Sequence, residues 1–144
     1  MKKIALACDH AGFSRKMEII EMLKINNFEV TDFGCFSEES CDYPDFAHPL
    51  ASAVERGDFF CGISLCGSGN GINITANKHQ GIRSALCWNV EIAELARKHN
   101  DANICAIPAR FVSKEVALQI VNAFLSINFE GGRHQIRVNK IPVI

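Results

Sequence analysis

Residues 59–66 read FFCGISLC, residues 67–71 GSGNG and residues 72–78 INITANK, so an apolar run passes through a glycine loop directly into a helix start. The run is the most continuous apolar segment of the chain, as expected of a strand buried on both faces of a parallel sheet. Glycines at 67, 69 and 71 free the backbone for positive φ and for close approach by a ligand, and N–H groups at a helix start attract negative charge. The unit is therefore a strand, a turn suited to an oxyanion or phosphate, and a helix. It is a poor dinucleotide fingerprint, because the last glycine spacing is missing and no acid stands at a following strand end. It also lacks the lysine of a P-loop. A tight turn with no ligand would fit the same residues.

Working outward, the same alternation recurs. Lys2–Cys8 reads as a first strand, followed by a helix whose apolar stripe is Met17, Ile20, Met22, Leu23 and Ile25. EVTDFG is a second strand, Asp45–Arg56 a second helix, and SALCW a fourth strand. VEIAELARKHN is a fourth helix, ANICAIPAR a fifth strand and KEVALQIVNAFLSI a fifth helix. Five alternations predict a parallel sheet with right-handed crossovers and helices on both faces, which binds ligands at the carboxyl ends of its strands. The tail FEGGRHQIRVNKIPVI regains apolar residues at its end and is expected to pack on a partner subunit.

With 144 residues and no internal linker, one domain is expected over 1–144. Fifteen Lys and Arg against 16 Asp and Glu leave no broad field for nucleic acid or an anionic membrane. No apolar run approaches the roughly 20 residues that span a bilayer, and a cytoplasmic protein is expected. The seven cysteines are odd in number, and Cys8, Cys61, Cys87 and Cys105 lie in or beside strand-like runs, as buried free thiols do. No ligand spacing for a structural metal is seen, and no cofactor is expected.

Several reactive side chains fall where strands end. Asp9 and His10 follow the first strand, Cys66 and its glycine loop the third, and Arg110 the fifth, so all converge on one sheet edge. At the mouth of that loop, beside a helix start, a thiol pKa can fall from about 8.5 toward neutrality, making Cys66 a candidate base or nucleophile. Read alone, it serves equally as one more buried thiol. His99 closes the fourth helix, where a cationic residue is favourable in any case, and His10 could be a turn residue bonded to Asp9. Arg133 and Arg137 would share a helix face and could clamp a phosphate; they could equally be a solvated face near Glu130. His48 and His79 read as surface residues.

The segments ALACDHAG, TDFG, CDYPDFA, LCGSGNGINITANK, GIRSALC, ARKHNDANI and EGGRHQIRV resemble, in order and spacing, the ribose-5-phosphate isomerase B and galactose-6-phosphate isomerase family. The resemblance spans essentially the whole chain. It implies a Rossmann-like three-layer α/β/α sandwich, a homodimer or dimer of dimers, and aldose–ketose isomerisation without a metal. It makes Cys66 the proton acceptor and His99 the group that opens the sugar ring, with Ser68 assisting. Asp9, His10, Tyr43, Gly67, Ser68, Gly69, Asn70, Gly71, Asn100, Arg110, Arg133 and Arg137 fall on substrate-contacting positions, with His10, Arg133 and Arg137 for the phosphate. It further implies a site shared between subunits, with His99, Asn100 and Arg110 reaching a partner's Cys66. Some members carry Thr at position 68, and others replace the cysteine by a glutamate after the loop, where this chain has Ile72.

The substrate expected is a sugar phosphate, ribose 5-phosphate ahead of the six-carbon allose and galactose 6-phosphates. A binding module without turnover is the rival from another class, against which Cys66 and His99 stand together. A thiol redox role lacks a resolving cysteine beside Cys66.

Overall fold

The computed structural model describes residues 1–144. Five strands alternate with helices: β1 Lys3–Cys8, β2 Glu29–Asp32, β3 Cys61–Cys66, β4 Ser84–Leu86 and β5 Ile104–Pro108. The helices are α1 Phe13–Ile25, α2 Pro44–Glu55, α3 Asn70–Ala76, α4 Val90–Asn100, α5 Lys114–Ser126 and α6 Arg133–Val138, with a 3-10 turn at His10–Gly12. All strand pairs are parallel, in the order β2-β1-β3-β5-β4. The chain leaves β1 to one side for β2, then returns past it to β3, so the topological switch lies between β1 and β3. Sheets of this kind open a crevice there.

Side-chain period sorts the two faces. Ile4, Leu6 and Cys8 of β1 join Ile63, Leu65, Cys105 and Ile107 in the larger core, against α1, α4 and α5. Ala5 and Ala7 face the other way, with Leu50, Ala51, Val54 and Ala76 of α2 and α3. The small residues let that layer approach closely. β1, β3 and β5 are buried almost throughout, which is why their sequences run apolar without alternation. The result is the expected Rossmann-like sandwich.

The α1 stripe is corrected. Ile19, Ile20 and Leu23 are buried, whereas Met17 is 43% and Ile25 72% exposed. The remaining inward position belongs to Lys16, fully buried, whose ammonium donates to Asp32 at 2.6 Å and to the Cys35 carbonyl at 2.5 Å. A lysine can hold that place only because both partners are there. The predicted second and third strands are also longer than observed. Phe33-Gly34 and Phe59-Phe60 lie beyond the regular strands, although Phe33, Gly34 and Phe60 still bond to the β1 backbone.

The tail folds. Gly131 and Gly132 both take positive φ, a region that favours glycine, and turn the chain into α6. α6 packs on α4 of its own chain, and the Glu130 amide donates to the Lys98 carbonyl at 3.1 Å.

Candidate active site

At the carboxyl edge, β1, β3 and β5 end in register: Cys8 lies opposite Leu65, and Cys66 opposite Pro108. Their three loops therefore face one crevice, of about 570 Å³, lined by Asp9, His10, Ala11, Tyr43, Cys66, Gly67, Ser68, Gly71, Arg110 and Phe111.

Each polar group is fixed by its local fold. The Asp9 carboxylate accepts from the Ala11 and Gly12 amides at 2.9 and 3.3 Å, so it caps the turn after β1 instead of bonding His10. His10 is held from another direction, its Nδ1 accepting from the Cys41 amide at 3.2 Å. That bond leaves Nε2 as the donor nitrogen of the ring. Gly69 has φ 76°, so the loop can reverse, and a Cβ there would strike Leu86. At Gly71 a Cβ would clash with the Tyr43 ring, 2.4 Å from its Cζ, and at Gly67 it would come 3.0 Å from the Arg110 guanidinium. These glycines are what lets Tyr43 and Arg110 close over the loop. Ser68 Oγ accepts from the Asn70 amide at 3.2 Å, which leaves its hydroxyl hydrogen free to donate elsewhere.

Cys66 is 5% exposed and is the one cysteine in the crevice lining. Burial pushes the Cys61 thiol up to about 12 and raises Cys8 as well, while Cys105 is raised first by its bond with the Cys87 thiol and then by burial. Such thiols stay protonated and inert.

The remaining expected residues gather elsewhere. His99 ends α4, whose chain leads to the amino end of β5, while Cys66 is level with its carboxyl end. The five residues of β5 separate the two by roughly 13 Å or more. Arg133 and Arg137 stand exposed on α6, beside His99. Asn100 lines another opening near Arg83 and Ile141. The expectation that Arg110 serves a partner's Cys66 is corrected. Because Pro108 is in register with Cys66, the turn after β5 can only lie beside its own loop, and the Arg110 amide donates to the Gly67 carbonyl at 3.0 Å.

Phe111 escaped the sequence reading, and His134 and Glu130 were read only as neighbours of the two arginines. Phe111, 75% exposed, forms an apolar rim to the crevice. His134 stacks on His99, centroids 4.3 Å apart, and Glu130 Oε1 lies 3.5 Å from His134 Nε2 and 3.9 Å from His99 Nε2. The i,i+4 spacing of Glu130 and His134 was the available signal. The three donors gather within 4.8 Å, but ring planes only 13° apart carry their lone pairs side by side. Holding one ion would require a ring to turn.

Residues 4–141 match the family model described as Ribose/Galactose Isomerase. The chain is 48% identical over 144 residues to the ribose-5-phosphate isomerase B of Escherichia coli, covering 100% of this chain and 97% of that one. The solved ribose 5-phosphate isomerase of Thermotoga maritima superposes with TM-score 0.97 at 45% identity, covering 99% of both chains. The ribose-5-phosphate isomerase B of Mycoplasma genitalium, solved with bound ribulose-5-phosphate, gives TM-score 0.92 at 42% identity over 96% of this chain and 93% of that one. With a matching model over nearly its whole length and full-length relatives that are B-type ribose-5-phosphate isomerases, this chain belongs to the ribose/galactose isomerase family.

Proposed function

We propose that this chain interconverts ribose 5-phosphate and ribulose 5-phosphate, with Cys66 as the base and His99 of a second copy opening the sugar ring. The observation that carries the reading is the placement of Cys66, at the end of the central strand β3, in a polar crevice formed by Asp9, His10, Ser68 and Arg110.

The chemistry accounts for the residue types. A furanose must open before its carbonyl exists, and an imidazole can carry the proton from hydroxyl to ring oxygen near neutral pH. The C–H beside the carbonyl is a weak acid until the developing enediolate oxygen finds donors. The free hydroxyl of Ser68 and the loop amides stand next to Cys66 for that purpose. The Cys66 thiolate takes the proton from one carbon and returns it to its neighbour, while the electron pair of the C–H bond passes through the enediolate. His10 through Nε2, with Arg110, binds the phosphate from the same side. Arg133 and Arg137 of the second copy bind it from the other, converting remote binding into orientation of the reacting end.

A homodimer follows from the same reading, because His99 and the arginines lie at the wrong end of the sheet to serve their own Cys66. The tail, through α6, is the element that reaches across, and the phosphorylated sugar is a substrate of the cytoplasm.

The test is turnover in EDTA on ribose 5-phosphate, allose 6-phosphate and galactose 6-phosphate, with exchange of the carbon-bound proton followed in Cys66→Ala. Ribose 5-phosphate should be preferred, and the variant should lose both exchange and isomerisation by roughly a hundred- to ten-thousand-fold. Normal exchange in Cys66→Ala would remove it as the base, and preference for a six-carbon sugar would replace the substrate.

A further inference from the structure

Away from the crevice, tertiary structure assembles a second group of side chains. His48 is exposed on α2, and His79 stands in the turn between α3 and β4. Their Nδ1 and Nε2 atoms meet at 2.8 Å. The other nitrogen of His79, Nδ1, faces the Glu55 carboxylate at 3.4 Å, and the second Glu55 oxygen accepts from the Gly81 amide at 2.7 Å. Gly81 thus orients Glu55, Glu55 orients His79, and His79 presents Nε2 to His48.

A proton on His79 Nδ1, directed at the carboxylate, leaves the lone pair on Nε2. This is the tautomer in which histidines bind metals, with a carboxylate behind the ring to fix it. His48 Nδ1 now supplies the hydrogen between the rings; if that proton is carried on Nε2 instead, the Nδ1 lone pair faces the same point. We propose that His48 Nδ1 and His79 Nε2 form a binding site for a divalent transition ion of the zinc, nickel and copper class, with water in the remaining positions.

Nitrogens bound at about 2.0–2.1 Å around a tetrahedral ion lie roughly 3.3 Å apart. The pair must therefore open by about 0.5 Å, a motion available to an exposed ring on a helix surface. The ring planes are inclined at 50°, so their lone pairs can converge, unlike those of His99 and His134. Two imidazole donors favour borderline ions over calcium or magnesium, which take oxygen. A bound ion would tie α2, whose amino end carries Tyr43, to the turn beyond α3, whose amino end carries the glycine loop.

The site is tested by titrating zinc chloride into the full-length protein while following the ring nitrogens of all five histidines by long-range proton–nitrogen NMR. One ion per chain should move His48 Nδ1 and His79 Nε2, and melting should shift upward with zinc concentration. His48→Gln and His79→Gln should each weaken this binding at least tenfold, and Glu55→Gln about tenfold. Isomerase turnover without zinc should stay at the wild-type level in all three, so the site stands or falls apart from the catalytic reading. Unchanged affinity in both histidine variants would overturn the site. So would zinc shifts confined to His10, His99 or His134, or no saturation at all.

Discussion

The imidazole of His134 lies face to face with that of His99, their centroids 4.3 Å apart and their planes 13° from parallel. Two cationic rings in that position would repel. His134 is held below its ordinary value near 6.5, by burial first and then by the charges of His99, Arg133 and Arg137, with Glu130 opposing. The unfolded chain therefore takes up a proton at His134 more readily than the folded one does. Stability is complete above the unfolded value and is lost as pH falls through the interval down to the folded value. Melting temperature should drop as pH falls below the ordinary histidine value near 6.5, less steeply in His134→Asn. Parallel profiles for the two proteins would show that the stack contributes nothing.

Since Cys66 and His99 stand at opposite ends of one sheet, two chains each lacking one of them should complement. Random pairing of Cys66→Ala with His99→Ala chains makes half of all dimers mixed, each with one intact site of two. Activity should recover to about a quarter of wild type. Hybrids confirmed by mass spectrometry but dead in the assay would rule out the shared site.

Arg137 is exposed on α6 and has no acidic partner among the ion pairs of the chain. Its replacement by Ala should leave folding intact and raise KM for the phosphorylated sugar roughly ten- to hundredfold, the worth of a charged hydrogen bond. Turnover of unphosphorylated ribose should change little. Equal losses on both sugars would mean that the guanidinium does not hold the phosphate.

Lys16→Met should destabilise the fold by about 3 kcal/mol, because it leaves the Asp32 carboxylate facing an apolar chain. Adding Asp32→Asn should return part of the loss, read as the midpoint of urea denaturation. If the double variant is as unstable as the sum of the singles, the pair is not the source of the effect.

The fold was legible because β1, β3 and β5 are buried on both faces and so leave unbroken apolar runs in the sequence. The crevice followed from strand ends, which bring Asp9, Cys66 and Arg110 to one edge whatever the details of packing. Lys16 was not legible, since an aliphatic stem with a buried ammonium looks like a polar interruption until Asp32 and Cys35 are placed around it. Nor was the contact of His48 with His79, whose 31-residue separation has no local pattern. The i,i+4 spacing already brought forward Arg133 and Arg137, and the family resemblance added the expectation that Arg110 reaches a partner's Cys66, although it lies beside Cys66 of its own chain. Strand register alone would have corrected that.

The crevice loop tolerates almost no added side chain at Gly67, Gly69 and Gly71, while Arg133 and Arg137 ride on a short helix reached through two more glycines. Two of the arginines proposed to grip the phosphate, Arg133 and Arg137, are thus inherited in a separate stretch of the chain from Cys66, His10 and Arg110. If α6 grips the phosphate, substitutions there would retune reach without passing through the sheet, and a change from a five-carbon to a six-carbon sugar would be an evolutionary step open to this architecture.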